Sequence, residues 1–200
     1  MNRPPSLNVD GVTLRPAVPD DALAVAALSA CVVNLPCHGL LPLTAEVGQG
    51  FLAALSQGMW ATPMIAERDE GPLAFLALAN VDPREMSANL IALLADEPTA
   101  DDAGEGKAGA IVRRYIEAVF WTYPLERVAR AVLQGGTRYA AILASAGFAS
   151  EGIVAGMARR GGERVDVEFL SVLRRLDDGR LACLPQLTME RLSVSDGRAA

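Results

Sequence analysis

Apolar residues recur along the chain with two different periods, and the switches between them mark out the elements. Residues 12–15 form a short apolar-polar run ending at Pro16, which predicts a strand. Asp20 and Asp21 then precede Leu23, Val25, Ala26 and Leu28. Acids ahead of apolar residues at helical spacing predict a helix start, because negative charge suits a helix N-terminus. Pro36, Gly39 and Pro42 break the chain before a second predicted helix over residues 44–57, with Val47, Phe51, Leu52 and Leu55 on one face and Gly58 after it. The runs 64–67 and 73–78 flank the polar turn Arg68-Asp69-Glu70-Gly71 and predict a hairpin. Residues 88–94 are a further apolar run of strand length.

The second half opens with acids, Pro98 and three glycines, Gly104, Gly106 and Gly109, leading into a strongly periodic segment. There Ile111, Tyr115, Ala118 and Val119 share one face, Val112, Ile116 and Phe120 lie beside it, and Arg113, Arg114 and Glu117 take the polar side. This predicts a helix over 111–120, stopped by Pro124. A strand over 127–133, a short helix from Gly135-Gly136 through Ser145, and two strands (148–158 and 164–173) around Arg160-Gly161-Gly162-Glu163 complete the series. The order β-α-α-β-β-β-α-β-α-β-β mixes hairpins with helical crossovers. It predicts an α/β (α+β) domain whose sheet is mixed rather than purely parallel. Residues 1–11 are expected to be a loose leader, 12–175 the domain and 176–200 a tail.

Composition narrows the functional classes. Hydrophobic residues make up 51% of the 200 and charged residues 21%, enough apolar material for a sizeable core. The net charge of -6 opposes a phosphate backbone, so no nucleic-acid partner is expected. Three cysteines, Cys31, Cys37 and Cys183, make no disulfide framework. One histidine, His38, rules out a multi-histidine metal site within one chain, and no metal is expected. There is neither a signal-like apolar segment near the start nor a run long enough to cross a membrane, so a cytoplasmic protein without a membrane partner is expected. Leu181, Leu184 and Leu187 of the tail offer apolar surface for a homodimer.

Several local segments carry a resemblance to a known family. Leu14-Arg15-Pro16 followed by Asp20-Asp21 is similar to an "LRP…DD/ED" opening. Gly104-Glu105-Gly106-Lys107-Ala108 is similar to a "Q/R-x-x-G-x-G/A" pyrophosphate loop. Ala118-Val119-Phe120 is similar to "YAF", and Leu143 through Gly147-Phe148 and Glu151-Gly152 to "L-E-K-x-G-F-x-x-E-G". With the element order, these make residues 12–175 resemble the GCN5-related N-acetyltransferase (GNAT) family, in particular its ribosomal-protein and spermidine-type branches. The resemblance implies a mixed, mostly antiparallel central sheet with helices on both faces, and acetyl-CoA as co-substrate. It implies that Gly104, Glu105, Gly106, Lys107, Ala108 and Gly109 hold the pyrophosphate, and that the strand carrying Leu93 and Leu94 offers backbone N–H groups to the acyl arm. The physics of such a loop agrees: small residues let backbone N–H groups approach phosphate oxygens, and the helix dipole favours the anion, with a plain glycine-rich turn capping a core helix as the alternative.

The chain also departs from the pattern. Ala103 stands at the Gln/Arg position, Asp101 and Asp102 sit in a lengthened approach, and Gly136 replaces the asparagine of "N-x-x-S/A". The usual tyrosine acid falls at Leu143. Tyr139, one helical turn earlier on the same side, is the candidate general acid, with a packed core tyrosine as the alternative. Glu67, at a strand end, is a candidate base acting through water, with a solvated turn acid as the alternative; Asp96 and Glu97, just after the central strand, are comparable candidates. His38 lies in the loop that, by the resemblance, lines the acceptor pocket and is the candidate acceptor-binding residue, with a structural role as the alternative. The resemblance thus implies an acyl-CoA-dependent N-acyltransferase acting on an amine, with a small-molecule acceptor ahead of a protein one. The departures leave open a GNAT-fold protein that binds or regulates without acetyl transfer, or that catalyses another reaction.

Overall fold

The hairpin signal at residues 64–78 lies at the middle of the sheet. In the computed structural model, which describes residues 6–9, 11–34, 43–57, 61–96 and 102–174, β3 (Met64–Arg68) pairs antiparallel with β4 (Gly71–Asp82), and β4 with β5 (Ser87–Leu94). β2 (Val12–Pro16) adds outside β3, and β1 (Leu7–Val9) outside β2. The expected loose leader therefore contributes a strand, because Leu7–Val9 can extend the edge of β2. β6 (Arg127–Leu133), β7 (Ala149–Arg160) and β8 (Glu163–Leu173) complete an eight-stranded sheet in the order β1-β2-β3-β4-β5-β6-β8-β7. Only β5 and β6 run parallel; every other neighbouring pair is antiparallel.

The continuous apolar runs of β4 and β5 require cover on both faces. Leu76, Leu78, Leu90, Ala92 and Leu94 turn to one side, where α3 (Asp102–Thr122) and α4 (Thr137–Ser145) pack with Val112, Tyr115, Ile116, Ile142 and Leu143. Phe75, Ala77, Ile91 and Leu93 turn to the other, where α1 (Ala22–Ser29) and α2 (Ala45–Gln57) supply Val25, Leu28 and Leu52. Each of the larger aliphatic side chains and Phe75, fully buried, contributes about 1.5–3 kcal/mol.

Three expected positions shift. Leu23 is 70% exposed, because α1 is apolar on every side and only one face meets the sheet. Val47 is 53% exposed, because α2 turns Gly48 and Leu52 inward instead. A Cβ at Gly48 would lie 2.8 Å from the Ala22 carbonyl oxygen, so the close approach of α1 and α2 depends on its absence. The third shift is larger. α3 begins at Asp102, so the segment expected as a glycine-rich loop is helical from Gly104 to Gly109. Gly109 is buried there: a Cβ would lie 1.8 Å from Ser145 Oγ and 3.1 Å from the Ile142 carbonyl of α4. Its small size lets the two helices touch. The tail, with Leu181, Leu184 and Leu187, lies outside the described residues.

Arg15 ties the first strands to the start of α1. Its guanidinium donates to both carboxylate oxygens of Asp21, each at 2.8 Å, and to Glu67 at 2.8 and 2.9 Å. The Val18 N–H donates to Asp21 at 2.8 Å. Burial pushes the Asp21 carboxyl up, but Arg15 and the Val18 N–H outweigh it and hold it below its ordinary value. The carboxylates raise the Arg15 guanidinium in turn.

Two outcomes follow for stability. A carboxyl depressed in the folded state stabilises above its unfolded value, near about pH 4, and that contribution is lost as pH falls through the lower folded value. Asp21→Asn should cost about 1.5–3 kcal/mol in urea unfolding at pH 7 and flatten the acid limb of the stability curve. The two helical glycines should part in sign. Gly106, with open space around a Cβ, should gain about 0.5–1 kcal/mol as Gly106→Ala. Gly109→Ala should lose about 1–3 kcal/mol by overpacking, and Ser145→Gly should restore part of that loss.

Candidate functional site

A parallel pair cannot be closed by a hairpin, and here it does not stay paired. β5 and β6 match at Ser87↔Arg127, Ala88↔Val128 and Asn89↔Ala129, and the ladder stops there. β6 continues with β8 to Leu133, and β5 continues with β4 to Leu94. Past Asn89, β5 therefore has an edge facing a gap. The ladder alternation says which groups face it. The Ala95 N–H donates to Leu73 on the β4 side at 2.8 Å. Leu93 therefore also directs its backbone toward β4, and Leu90, Ala92 and Leu94 direct theirs into the gap.

All three gap-facing carbonyls accept hydrogen bonds from the protein itself. Arg130 Nη1 donates to Leu90 O at 3.1 Å, and the Tyr139 hydroxyl donates to Ala92 O at 2.8 Å. The Asn34 carboxamide takes both groups of Leu94: the Leu94 N–H donates to Oδ1 at 3.0 Å, and Nδ2 donates to Leu94 O at 2.7 Å. Nδ2 also reaches the Leu28 carbonyl at 2.7 Å. Asn34 is carried on a single 3-10 turn, Val32–Asn34, whose Val32 and Val33 N–H groups donate to the Asp96 carboxylate at 2.6 and 2.8 Å. The Arg130 guanidinium, on a residue 7% exposed, stands 5.9 Å from the centre of the Tyr139 ring, so a buried cation and an aromatic face share the gap. Beside them opens a cleft of about 470 Å³, bounded by Val32, Asp96, Gly136, Thr137, Tyr139 and Arg160.

The residues expected from sequence fall unevenly around this gap. Tyr139 lines the cleft and is fully buried, so the expected acid and its alternative, a packed core tyrosine, meet in one side chain. Leu94 has its N–H in the gap but bonded to Asn34, whereas Leu93 turns its backbone to β4. Gly104 and Glu105 belong to the first turn of α3, where N–H groups lack helical partners. Gly106, Lys107, Ala108 and Gly109 follow it, and their N–H groups belong to the helical ladder. Lys107 is exposed. Glu67 is two strands away from β5 and engages Arg15 through both oxygens, so the structure gives it an ion pair away from the gap. His38 lies outside the described residues.

Asn34 and Arg130 form the site without having been marked in the sequence; Asp96, weighed as a base beside Glu67, accepts the Val32 and Val33 N–H groups instead, and Glu97 lies outside the described residues. Arg130 had a signal, a charge in the middle of the apolar run of β6. Asn34 follows a helix end, where polar residues are ordinary. Among the described residues no group of three His, Cys, Asp or Glu side chains could hold a metal ion, and no helix is long and apolar enough to cross a membrane. Removing the Tyr139 hydroxyl strands a buried carbonyl, so Tyr139→Phe should lower unfolding stability by about 1–3 kcal/mol.

No protein-family model and no curated protein matches the chain. Solved structures do. A probable acetyltransferase superposes with TM-score 0.69 at 21% identity over 85% of this chain and 97% of its own. The ribosomal-protein-S5-alanine acetyltransferase from Vibrio fischeri gives TM-score 0.69 at 17% identity, covering 84% and 96%. Spermidine N-acetyltransferase from Vibrio cholerae, in complex with CoA and spermine, gives TM-score 0.69 at 15% identity, covering 82% and 96%. With an eight-stranded mixed sheet, a single parallel pair that opens, and helices on both faces, the chain has the GNAT fold.

Proposed function

We propose that the chain is an acyl-CoA-dependent N-acyltransferase, with acetyl-CoA as donor and a small amine as acceptor. The observation that carries this reading is the opening of β5 from β6 past Asn89, which leaves a strand edge facing a cleft. An acyl-CoA joins an extended, amide-bearing arm to a pyrophosphate. A free strand edge pairs with such an arm by main-chain hydrogen bonds. The first turn of α3, which includes Gly104, suits the anion, and the exposed Lys107 adds a positive charge nearby.

In the reaction the neutral acceptor nitrogen attacks the thioester carbonyl, a C–N bond forms and the nitrogen gives its proton to water, while the C–S bond breaks and the sulfur leaves as thiolate; the group that protonates the sulfur is restored from the same water. The Tyr139 hydroxyl, already directed at the β5 edge, is the proton donor for that sulfur. The Ala92 N–H, which the alternation turns into the gap, is the donor for the oxygen that gains charge. Glu67 supports the fold through Arg15. The small-amine assignment rests on the spermidine enzymes among the structural neighbours and on the net charge of -6, which draws cations.

A second reading is favoured by one observation: the chain's own side chains occupy the gap-facing carbonyls. A protein of this kind would bind without transferring.

Calorimetric titration with acetyl-CoA tests the proposal. A saturable isotherm is expected, weakened about 3–10-fold by Lys107→Ala, the worth of one charge-assisted contact. Absence of binding up to about 1 mM, a level at which even weak ligands register, would overturn it. Binding without acyl transfer to any amine in a small-amine panel would favour the second reading.

A further inference from the structure

We infer that the turn Val32–Asn34 is a latch that occupies the acyl-carrier edge of β5, so that the ligand's amides and Asn34 compete for Leu94. This rests on the acyl-CoA reading of the gap. The Asn34 carboxamide is the same chemical group as a ligand amide. It takes the Leu94 N–H at 3.0 Å and the Leu94 carbonyl at 2.7 Å, as a neighbouring strand would. The Leu94 N–H is a single donor and cannot serve both partners at full strength.

The turn is held from outside the gap as well. The Asp96 carboxylate, just past the end of β5, accepts the Val32 and Val33 N–H groups at 2.6 and 2.8 Å. Asp96 itself is exposed. The latch therefore has a buried end, Asn34, and a solvent end, Asp96, and both engage the last residues of one strand. Val32 and Asp96 also bound the cleft, so releasing the turn widens the route along β5. A ligand that needs the edge binds only the released population, and its apparent affinity falls by that fraction.

The two ends give two independent variants. Asn34→Ala removes the competing amide. Asp96→Ala loosens the turn while Asn34 and the β5 backbone stay as they are. Titrations of each with CoA and with adenosine 3′,5′-bisphosphate, the nucleotide part of CoA without its amide arm, read the latch directly. Both variants should bind CoA about tenfold more tightly than the wild type, the worth of one or two net hydrogen bonds. Affinity for the bisphosphate should not change. The Leu94 amide should exchange with solvent faster in both variants than in the wild type. Unchanged CoA affinity alongside intact bisphosphate binding would overturn the latch and leave the acyl-CoA reading standing. Equal tightening toward both probes would also overturn it, since the effect would not involve the arm. Failure of every variant to bind either probe would remove the acyl-CoA reading and the latch together. A Leu94 amide as protected in Asp96→Ala and Asn34→Ala as in the wild type would show that Asn34 does not close the edge.

Discussion

A buried backbone group without a partner is costly, and the end of β5 raises that cost at the centre of the sheet. β4 satisfies one side of the strand along its length, but β6 follows only to Asn89. Past that point Leu90, Ala92 and Leu94 sit among apolar neighbours with their carbonyls facing a gap. The chain meets the demand with one long side chain from each of three places: Arg130 from β6, Tyr139 from the first turn of α4, and Asn34 from the turn after α1. These contacts fix where α4 sits against the gap and where the turn after α1 ends. The cleft is bounded by the same turn and the same helix start.

β5 and β6, which part past Asn89, are joined by a crossover. A parallel neighbour must be reached by a long connection, and α3 is that connection. Its apolar face, with Val112, Tyr115, Ile116 and Val119, covers the α3–α4 side of the sheet. Gly109 then brings α3 into contact with α4 at Ser145, holding the start of α3 and the helix that bears Tyr139 on one side of the sheet. The geometry of the gap is thus set by packing some distance from it, and by a glycine whose importance lies in its size.

The order of elements was legible because each has a strong local period: 2 in β8, 3.6 in α3, and uninterrupted apolar runs in β4 and β5, which need cover on both faces. The boundary of α3 was less legible. Glycines and acids suggest a loop, yet Gly106 sits in open space and Gly109 against a neighbouring helix, and both are compatible with helix. Tyr139 was legible by its spacing from Leu143, since both lie on the buried side of α4. Leu93 and Leu94 could not be told apart without the register, because which of two adjacent residues turns its backbone to the gap depends on the pairing with β4. Glu67 read as a free acid because its partner Arg15 lies 52 residues away in sequence. Asn34 and Leu94 are 60 residues apart, and neither residue type announces the other.

The constraint on β5 also sets how any ligand must behave there. A strand edge left bare would be the best receptor for an amide chain and the least stable feature of the fold; an edge permanently paired would be stable and closed. Borrowed side-chain partners lie between these limits. None of them belongs to the β4–β5 ladder, which pairs through the other side of β5. Arg130 is buried and belongs to the sheet, so it is the costliest to move; Asn34 belongs to a three-residue turn anchored by an exposed carboxylate. A ligand entering along β5 would therefore displace partners more readily toward the Leu94 end than toward Leu90. That end leads toward Asp96, which bounds the cleft, and toward the crossover to α3.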